Sequence, residues 1–263
     1  MLSTGQWWAL LGGVILLVAV VFAWRFCRRY GFNAMQLLLY LVQWPLTRFY
    51  WRTKYQGRWP LSHEQGAICV CNHTSGVDPL FIQRAMPKMA RWMVAREYFT
   101  GLMGWFLRQS TAIPVRRGGA DTAATKMAIR HAQSGGIVGM LPEGRINVGE
   151  EILLPGRPGV ALVAIKAQVP IVPCWVEGIP YFGSPLSSFR KPARVRVVIG
   201  EPIDVSAYGQ TDDKAVLGEI TLRCLKEIAV LSGHPEFEPK LAGRHWMEEA
   251  RRQAAAKVSS QDH

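Results

Sequence analysis

A chain of 263 residues has room for one sizeable domain and an appendage. Its net charge of +12 and its 10 tryptophans suit an anionic surface, and the placing of that charge favours a membrane over nucleic acid. Five cysteines without a Cys-x-x-Cys pair exclude a zinc or disulfide framework, in keeping with a reducing compartment.

Residues 1–24 carry no charged side chain, and Trp7 to Trp24 is an 18-residue apolar run with tryptophan at both ends. That is close to the ~20 residues that span a bilayer, with aromatics at the interfaces. A cleaved signal peptide needs a basic start and a small-residue cleavage site. Met1 to Gln6 has no positive charge, and Ala23-Trp24-Arg25 is a poor site, so an uncleaved anchor is expected. Arg25, Arg28, Arg29, Arg48, Arg52, Lys54 and Arg58 follow with no acidic residue before Glu64. Positive charge beside a span places the N-terminus outside and the rest on the cytoplasmic face. It also attracts anionic headgroups, at ~1 kcal/mol per basic residue near the surface. Residues 34–51 are mostly apolar but contain Gln36, Gln43, Pro45 and Arg48. A second span is one reading; an interfacial or membrane-dipping helix, kinked near Pro45, fits better.

Beyond residue 60 the pattern alternates. The apolar runs 67–71, 91–95, 137–141, 169–176 and 193–199 read as short buried strands, and Ala112 begins a further short strand that runs into the glycine turn at Gly118-Gly119. Helical spacing is expected over 79–86, part of 99–108, 123–132 with Asp121 as cap, 159–167, 215–231, and a charged terminal stretch at 239–258. Strands and helices in alternation predict an α/β fold, a largely parallel sheet covered by helices on both faces. Ligands of such sheets bind beyond the carboxyl ends of the strands. His73, Asp78, Arg116, Arg117, Glu143 and Arg145 all fall there.

In Asn72-His73-Thr74-Ser75-Gly76-Val77-Asp78-Pro79, His73 and Asp78 stand five apart. That spacing leaves them ~140° apart on a helix and on opposite faces of a strand, so only a tight turn pairs them. A paired carboxylate would fix the imidazole tautomer and stabilise the imidazolium. A histidine and an aspartate capping an ordinary strand–helix connection is the plainer alternative. Asn-His, four residues and Asp after a strand resemble the first signature of the glycerolipid acyltransferases, the lysophosphatidic acid acyltransferase family. Ile113-Pro114-Val115-Arg116-Arg117 resembles the second, with Arg117 at its arginine. Leu141-Pro142-Glu143-Gly144 resembles the third, although Arg145 stands where most members have threonine and Ile146 where they have arginine. In this it is similar to enzymes that reacylate lysophosphatidylethanolamine. Val169-Pro170-Ile171-Val172-Pro173 resembles the fourth, and Arg157-Pro158-Gly159 the basic-x-Gly before the helix between them.

The resemblance implies a membrane-anchored O-acyltransferase of glycerolipid acyltransferase-like fold. It would move a fatty acyl group from acyl-CoA or acyl-ACP to the free hydroxyl of lysophosphatidic acid or a related lysophospholipid. His73 would be the general base and Asp78 its partner. Arg117, Glu143, Gly144 and Arg145 would bind the acceptor and its phosphate, and Val169, Pro170, Ile171, Val172 and Pro173 would shape the acyl pocket. No metal, no cofactor beyond the acyl co-substrate and no nucleic acid is expected. Alternative acceptors are glycerol 3-phosphate, lysophosphatidylethanolamine or a non-glycerol lysolipid; a non-catalytic membrane-surface protein is the reading from another class. The domains expected are an anchor and basic flank (1–32), an interfacial helix (33–60), the catalytic domain (61–235) and a charged C-terminal helix and tail (236–263).

Overall fold

The computed structural model describes residues 3–117, 121–149, 151–184 and 186–243. Its centre is made of apolar runs: β2 (Ala67–Cys71), β5 (Ile137–Met140) and β6 (Ile171–Glu177). On one side β3 (Ala90–Ala95) and β4 (Ile113–Val115) extend the sheet; on the other, β7 (Arg196–Ile199) and β1 (Lys54–Gln56) do. The order is β1-β7-β6-β2-β5-β3-β4, and every neighbouring pair is parallel except β6 with β7.

All five residues of β2 are buried because the strand faces two cores. Ile68 and Val70 point to a face covered by α5 (Thr122–Gln133), α6 (Gly159–Ala167) and α7 (Lys214–Ser232). Ala67, Cys69 and Cys71 point, with the strand's period of two, toward Trp51 and toward Phe81 and Ile82 of α3 (Asp78–Gln83). Helix α4 (Gly101–Gln109) joins β3 to β4. On α5, the alanines 124, 128 and 132 form its buried stripe at a spacing of four. Asp121 caps it, accepting a bond from the Ala124 amide.

The first helix, α1 (Thr4–Tyr30), opens with a capping box between Ser3 and Gln6 and closes on Gly31 at φ 67°. Twenty-seven residues at ~1.5 Å each make it ~40 Å long. Its apolar side chains are exposed, and among the described residues it is the one helix long and apolar enough to cross a membrane. Next, α2 (Ala34–Pro45) runs into a π-turn over Leu46–Tyr50. Its polar residues turn inward: the Gln36 side chain donates to the Gln109 carbonyl, and that of Gln43 to the Leu80 carbonyl. Leu38, Leu41, Val42, Trp44 and Phe49 turn outward.

Two sequence expectations change. Lys54–Gln56 pairs with Arg196–Val198, so the sheet begins inside the segment assigned to the interfacial helix, not after residue 60. At the other end, Pro239 to Gly243 is not helical and Leu241 bridges Gly156. A terminal helix therefore does not start at 239, and the rest of that segment lies outside the described residues. The three-residue β1 was too short to show a period.

Gly139 in β5 is a packing constraint, since a Cβ there would stand 2.3 Å from the indole of Trp92 on β3. Gly139→Ala is expected to cost ~1–3 kcal/mol of stability, the usual penalty for overpacking. The cost should shrink when Trp92→Leu is made in the same chain. Urea denaturation of the four-member cycle measures both.

Candidate active site

The chain leaves β2 at Cys71 and folds back on itself. Asn72 first extends the sheet by proxy: its Nδ2 donates to the Val176 carbonyl and its Oδ1 accepts from the Val176 amide, both at 2.8 Å. His73 follows, and Asp78 opens α3 five residues later. The two meet, with His73 Nδ1 at 2.8 Å from Asp78 Oδ2. Asp78 is wholly buried, and its remaining capacity goes to the turn. Oδ2 also accepts from the amides of Thr74 (2.8 Å) and Ser75 (3.0 Å), and Oδ1 from the Thr74 hydroxyl (3.1 Å). A carboxylate accepting at Nδ1 makes that nitrogen the protonated one, so the lone pair is on Nε2. The ring is only partly covered, with 14% of its side chain exposed, which leaves it accessible to a substrate.

The backbone of His73 is held as firmly as the ring. Its amide donates to Glu143 Oε1 at 2.7 Å, and its carbonyl accepts from the Asn147 amide at 2.7 Å. Glu143 comes from the loop after β5, the neighbour of β2, and its second oxygen accepts from the Leu154 amide at 2.8 Å. Gly144, at φ 65°, closes the turn that aims this carboxylate, its amide donating to the Leu141 carbonyl. The expected acceptor contact by Glu143 is therefore corrected. Only 1% exposed, with both oxygens bound to backbone amides, it positions the His73 turn. Gly144 likewise supplies conformation.

The other expected residues divide. Arg145 is half-buried, in the same loop, between Glu143 and Asn147. Arg117 lies beyond β4, at the same end of the sheet but three strand spacings from β2, or ~14 Å. Its Nη1 is 3.1 Å from Glu97 Oε1 and its guanidinium lies over the Tyr98 ring. Arg116 turns to Asp121. Val169 to Pro173 do not join the cluster. Ile171 pairs with Ile68, at the amino end of the parallel strands, five residues or ~16 Å before His73. Ile171 and Val172 are fully buried in the two opposite cores. Pro173 fits in mid-strand because Cys174 pairs with Ile199 while Ile171 pairs with Ile203, a bulge that interrupts the ladder there.

Sequence reasoning missed Asn147, Leu154 and Ser188. The first two act through backbone amides, which no side-chain motif displays. Ser188, fully buried, sets its Oγ 2.6 Å from that of Ser75, and only the fold brings it there.

Burial pushes the Glu143 carboxyl up to about 8, against the pull of the Leu154 and His73 amides. A carboxyl raised on folding stabilises fully below its ordinary value near 4.5 and loses that contribution as pH rises through about 8. Glu143→Gln cannot titrate and sets a donor against a backbone amide. It is expected to lower Tm overall and to flatten the fall of Tm across that pH range. Thermal unfolding of both proteins from pH 4.5 to 8 tests this; parallel curves would contradict it.

The Acyltransferase family model matches residues 52–177, which contain His73, Asp78, Arg117, Glu143 and Arg145. The 1-acyl-sn-glycerol-3-phosphate acyltransferase of Bacillus subtilis is 28% identical over 163 residues, covering 61% of this chain and 78% of that protein. The 1-acyl-sn-glycerol-3-phosphate acyltransferase beta of Homo sapiens is 27% identical over 176 residues, 65% of this chain and 63% of its own length. Among solved structures, the 1-acyl-sn-glycerophosphate (LPA) acyltransferase PlsC from Thermotoga maritima shares the fold. Its TM-score is 0.54, over 81% of this chain and 92% of that one, at 18% identity. A His–Asp turn at the carboxyl end of a mostly parallel sheet thus lies inside a matched Acyltransferase domain, in a chain that is similar in sequence to 1-acyl-sn-glycerol-3-phosphate acyltransferases and shares the fold of PlsC.

Proposed function

We propose that the chain transfers a fatty acyl group from acyl-CoA or acyl-ACP to the free hydroxyl of lysophosphatidic acid or a closely related lysophospholipid. The observation that carries the mechanism is the bond from His73 Nδ1 to the buried Asp78 carboxylate. With Nδ1 so engaged, Nε2 takes the acceptor's hydroxyl proton as its oxygen attacks the thioester carbonyl. The imidazolium formed lies against Asp78, which carries the balancing charge. Collapse of the tetrahedral intermediate breaks the carbon–sulfur bond, and the imidazolium returns its proton to the thiolate. The acyl group passes directly from sulfur to oxygen, without a covalent acyl-enzyme.

Arg145 and Arg117 suit the acceptor phosphate. Arg145 shares its loop with residues bound to His73, and Arg117 stands farther along the same end of the sheet. A guanidinium fork matches a phosphate oxygen pair, and holding the phosphate makes attack by the hydroxyl effectively intramolecular. Helix α1 would anchor the enzyme, with its N-terminus outside. Arg28 and Arg29 in its last turn would face the anionic cytoplasmic leaflet.

Purified protein given labelled acyl-CoA or acyl-ACP and a panel of lysolipids, with products separated by headgroup, tests donor and acceptor together. His73→Ala is expected to lower turnover by ~10²–10⁴-fold with vesicle association unchanged. Near-full activity would end the base assignment. Asp78→Asn keeps the shape and removes the charge. It should impair turnover, and the double variant should be little worse than the weaker single one, as for groups acting as a unit.

Arg145→Ala is expected to raise the acceptor KM more than Arg117→Ala does, with the donor KM unchanged, because Arg145 lies nearer His73. Arg117→Lys should recover part of its loss, since a point charge lacks the fork. If only the donor KM moved, the arginines would belong to the acyl carrier.

A further inference from the structure

Against α2 and its π-turn lies a cavity of about 390 Å³ that the proposed reaction does not use. Arg48, Arg58 and Arg84 line it, Trp44 and Trp59 flank them, and no acidic residue is present in its wall. Among the described residues, none of the three arginines is ion-paired with a carboxylate. Thr53 lines the same cavity, nine-tenths buried, with a hydroxyl that has no hydrogen-bond partner. Arg84 gives one of the five guanidinium donors to the Tyr40 hydroxyl at 2.9 Å. Three cations around one wall repel one another until an anion enters, and forked donors favour phosphate.

A second cavity, of about 350 Å³, shares Trp59, Arg84 and Ala85 with the first. It is otherwise mostly aromatic and apolar, with Phe26, Tyr30, Phe32 and Leu61 in its wall. Phe26 and Tyr30 belong to the end of α1, so this cavity lies where that helix meets the domain. Tyr40 of α2 lines it too, and Trp44 of the same helix lines the first cavity, while Leu38, Leu41 and Val42 of that helix are exposed. A cationic pocket, an apolar pocket and an exposed apolar helix in succession match the order of parts in a membrane lipid.

We propose that the two cavities together hold one anionic phospholipid of the surrounding membrane. Its phosphate meets Arg48, Arg58, Arg84 and Thr53, and its apolar part lies along the aromatic cavity. This rests on reading α1 as a membrane anchor. The site is separate from that of the acceptor, for none of His73, Asp78, Arg117, Glu143 and Arg145 lines either cavity. Bound there, the lipid fastens the domain to the anchor in one orientation.

The test uses the full chain in a neutral detergent and follows Tm with added phosphatidylglycerol, phosphatidylcholine, inorganic phosphate or coenzyme A. Phosphatidylglycerol at ~100 times its Kd should raise Tm by about 5 °C, through binding to the folded state alone. Phosphatidylcholine and phosphate should not. The rise should vanish in Arg48→Gln/Arg58→Gln, both exposed and so tolerant of change, and persist in Arg117→Ala/Arg145→Ala and in Arg25→Gln/Arg28→Gln/Arg29→Gln. Equal shifts with both lipids, or a shift lost with the basic flank instead, would overturn the site. An equal, Arg48- and Arg58-dependent shift with phosphate or coenzyme A would overturn the lipid and assign the cavity to a soluble anion. Flotation with neutral vesicles reports the anchor separately, so failure of α1 to insert is distinguishable from failure of the cavity to bind.

Discussion

A carboxylate without exposure to water would ordinarily be a liability, because removing a charge from solvent costs several kcal/mol unless hydrogen bonds replace the lost hydration. Asp78 meets that condition through two backbone amides, one hydroxyl and one imidazole, all within the six residues 73–78. The same four bonds define the conformation of the turn. Geometry and charge are therefore one property here: the residues that make burial tolerable are those that fix the imidazole. Glu143 holds the turn from outside, clamping the His73 amide to the loop after β5. The two acids thus divide into one that faces the histidine ring and one that faces its backbone.

The sheet decides which residues can take part. Parallel strands put the ends of β2, β5, β3 and β4 on one side, so four separate loops reach a common surface. The histidine turn occupies the centre and the arginines follow outward, an arrangement suited to a long polar substrate. The packed amino ends of β2, β5 and β6 hold Ile68, Ile137 and Ile171, which are wholly buried.

Much of this was legible in the sequence. Strands β2, β5 and β6 are buried on both faces, so their sequences are continuous apolar runs, and helix α6 matched its expected bounds because apolar spacing alone defines it. The His73–Asp78 pairing was legible because five residues fit no regular element. What escaped had a common cause. β1 is exposed and only three residues long, and it exists because β7 offers it a partner. Glu143 reads as a ligand in sequence because its partners are amides, identical at every residue. Val169 to Pro173 carry a motif whose location, at the far end of the strand, depends on register with β2, a tertiary property.

The reversal of direction at β7 has an evolutionary side. A strand that returns antiparallel needs no crossover helix, and the described residues between β6 and β7 hold only the short helical segment Ser187–Arg190, at the His73 end of the sheet. They touch the turn through the Ser75–Ser188 hydroxyl pair and meet the segment after α2 where the Tyr50 hydroxyl donates to the Phe189 carbonyl. The Asp78 bonds are all made within residues 73–78, so exchanges at exposed positions of this connection, such as Phe182 and Arg190, do not touch them. Selection can thus reshape the approach to the histidine without renegotiating the core, which gives one chemistry a route to new acceptors by changes in a single loop.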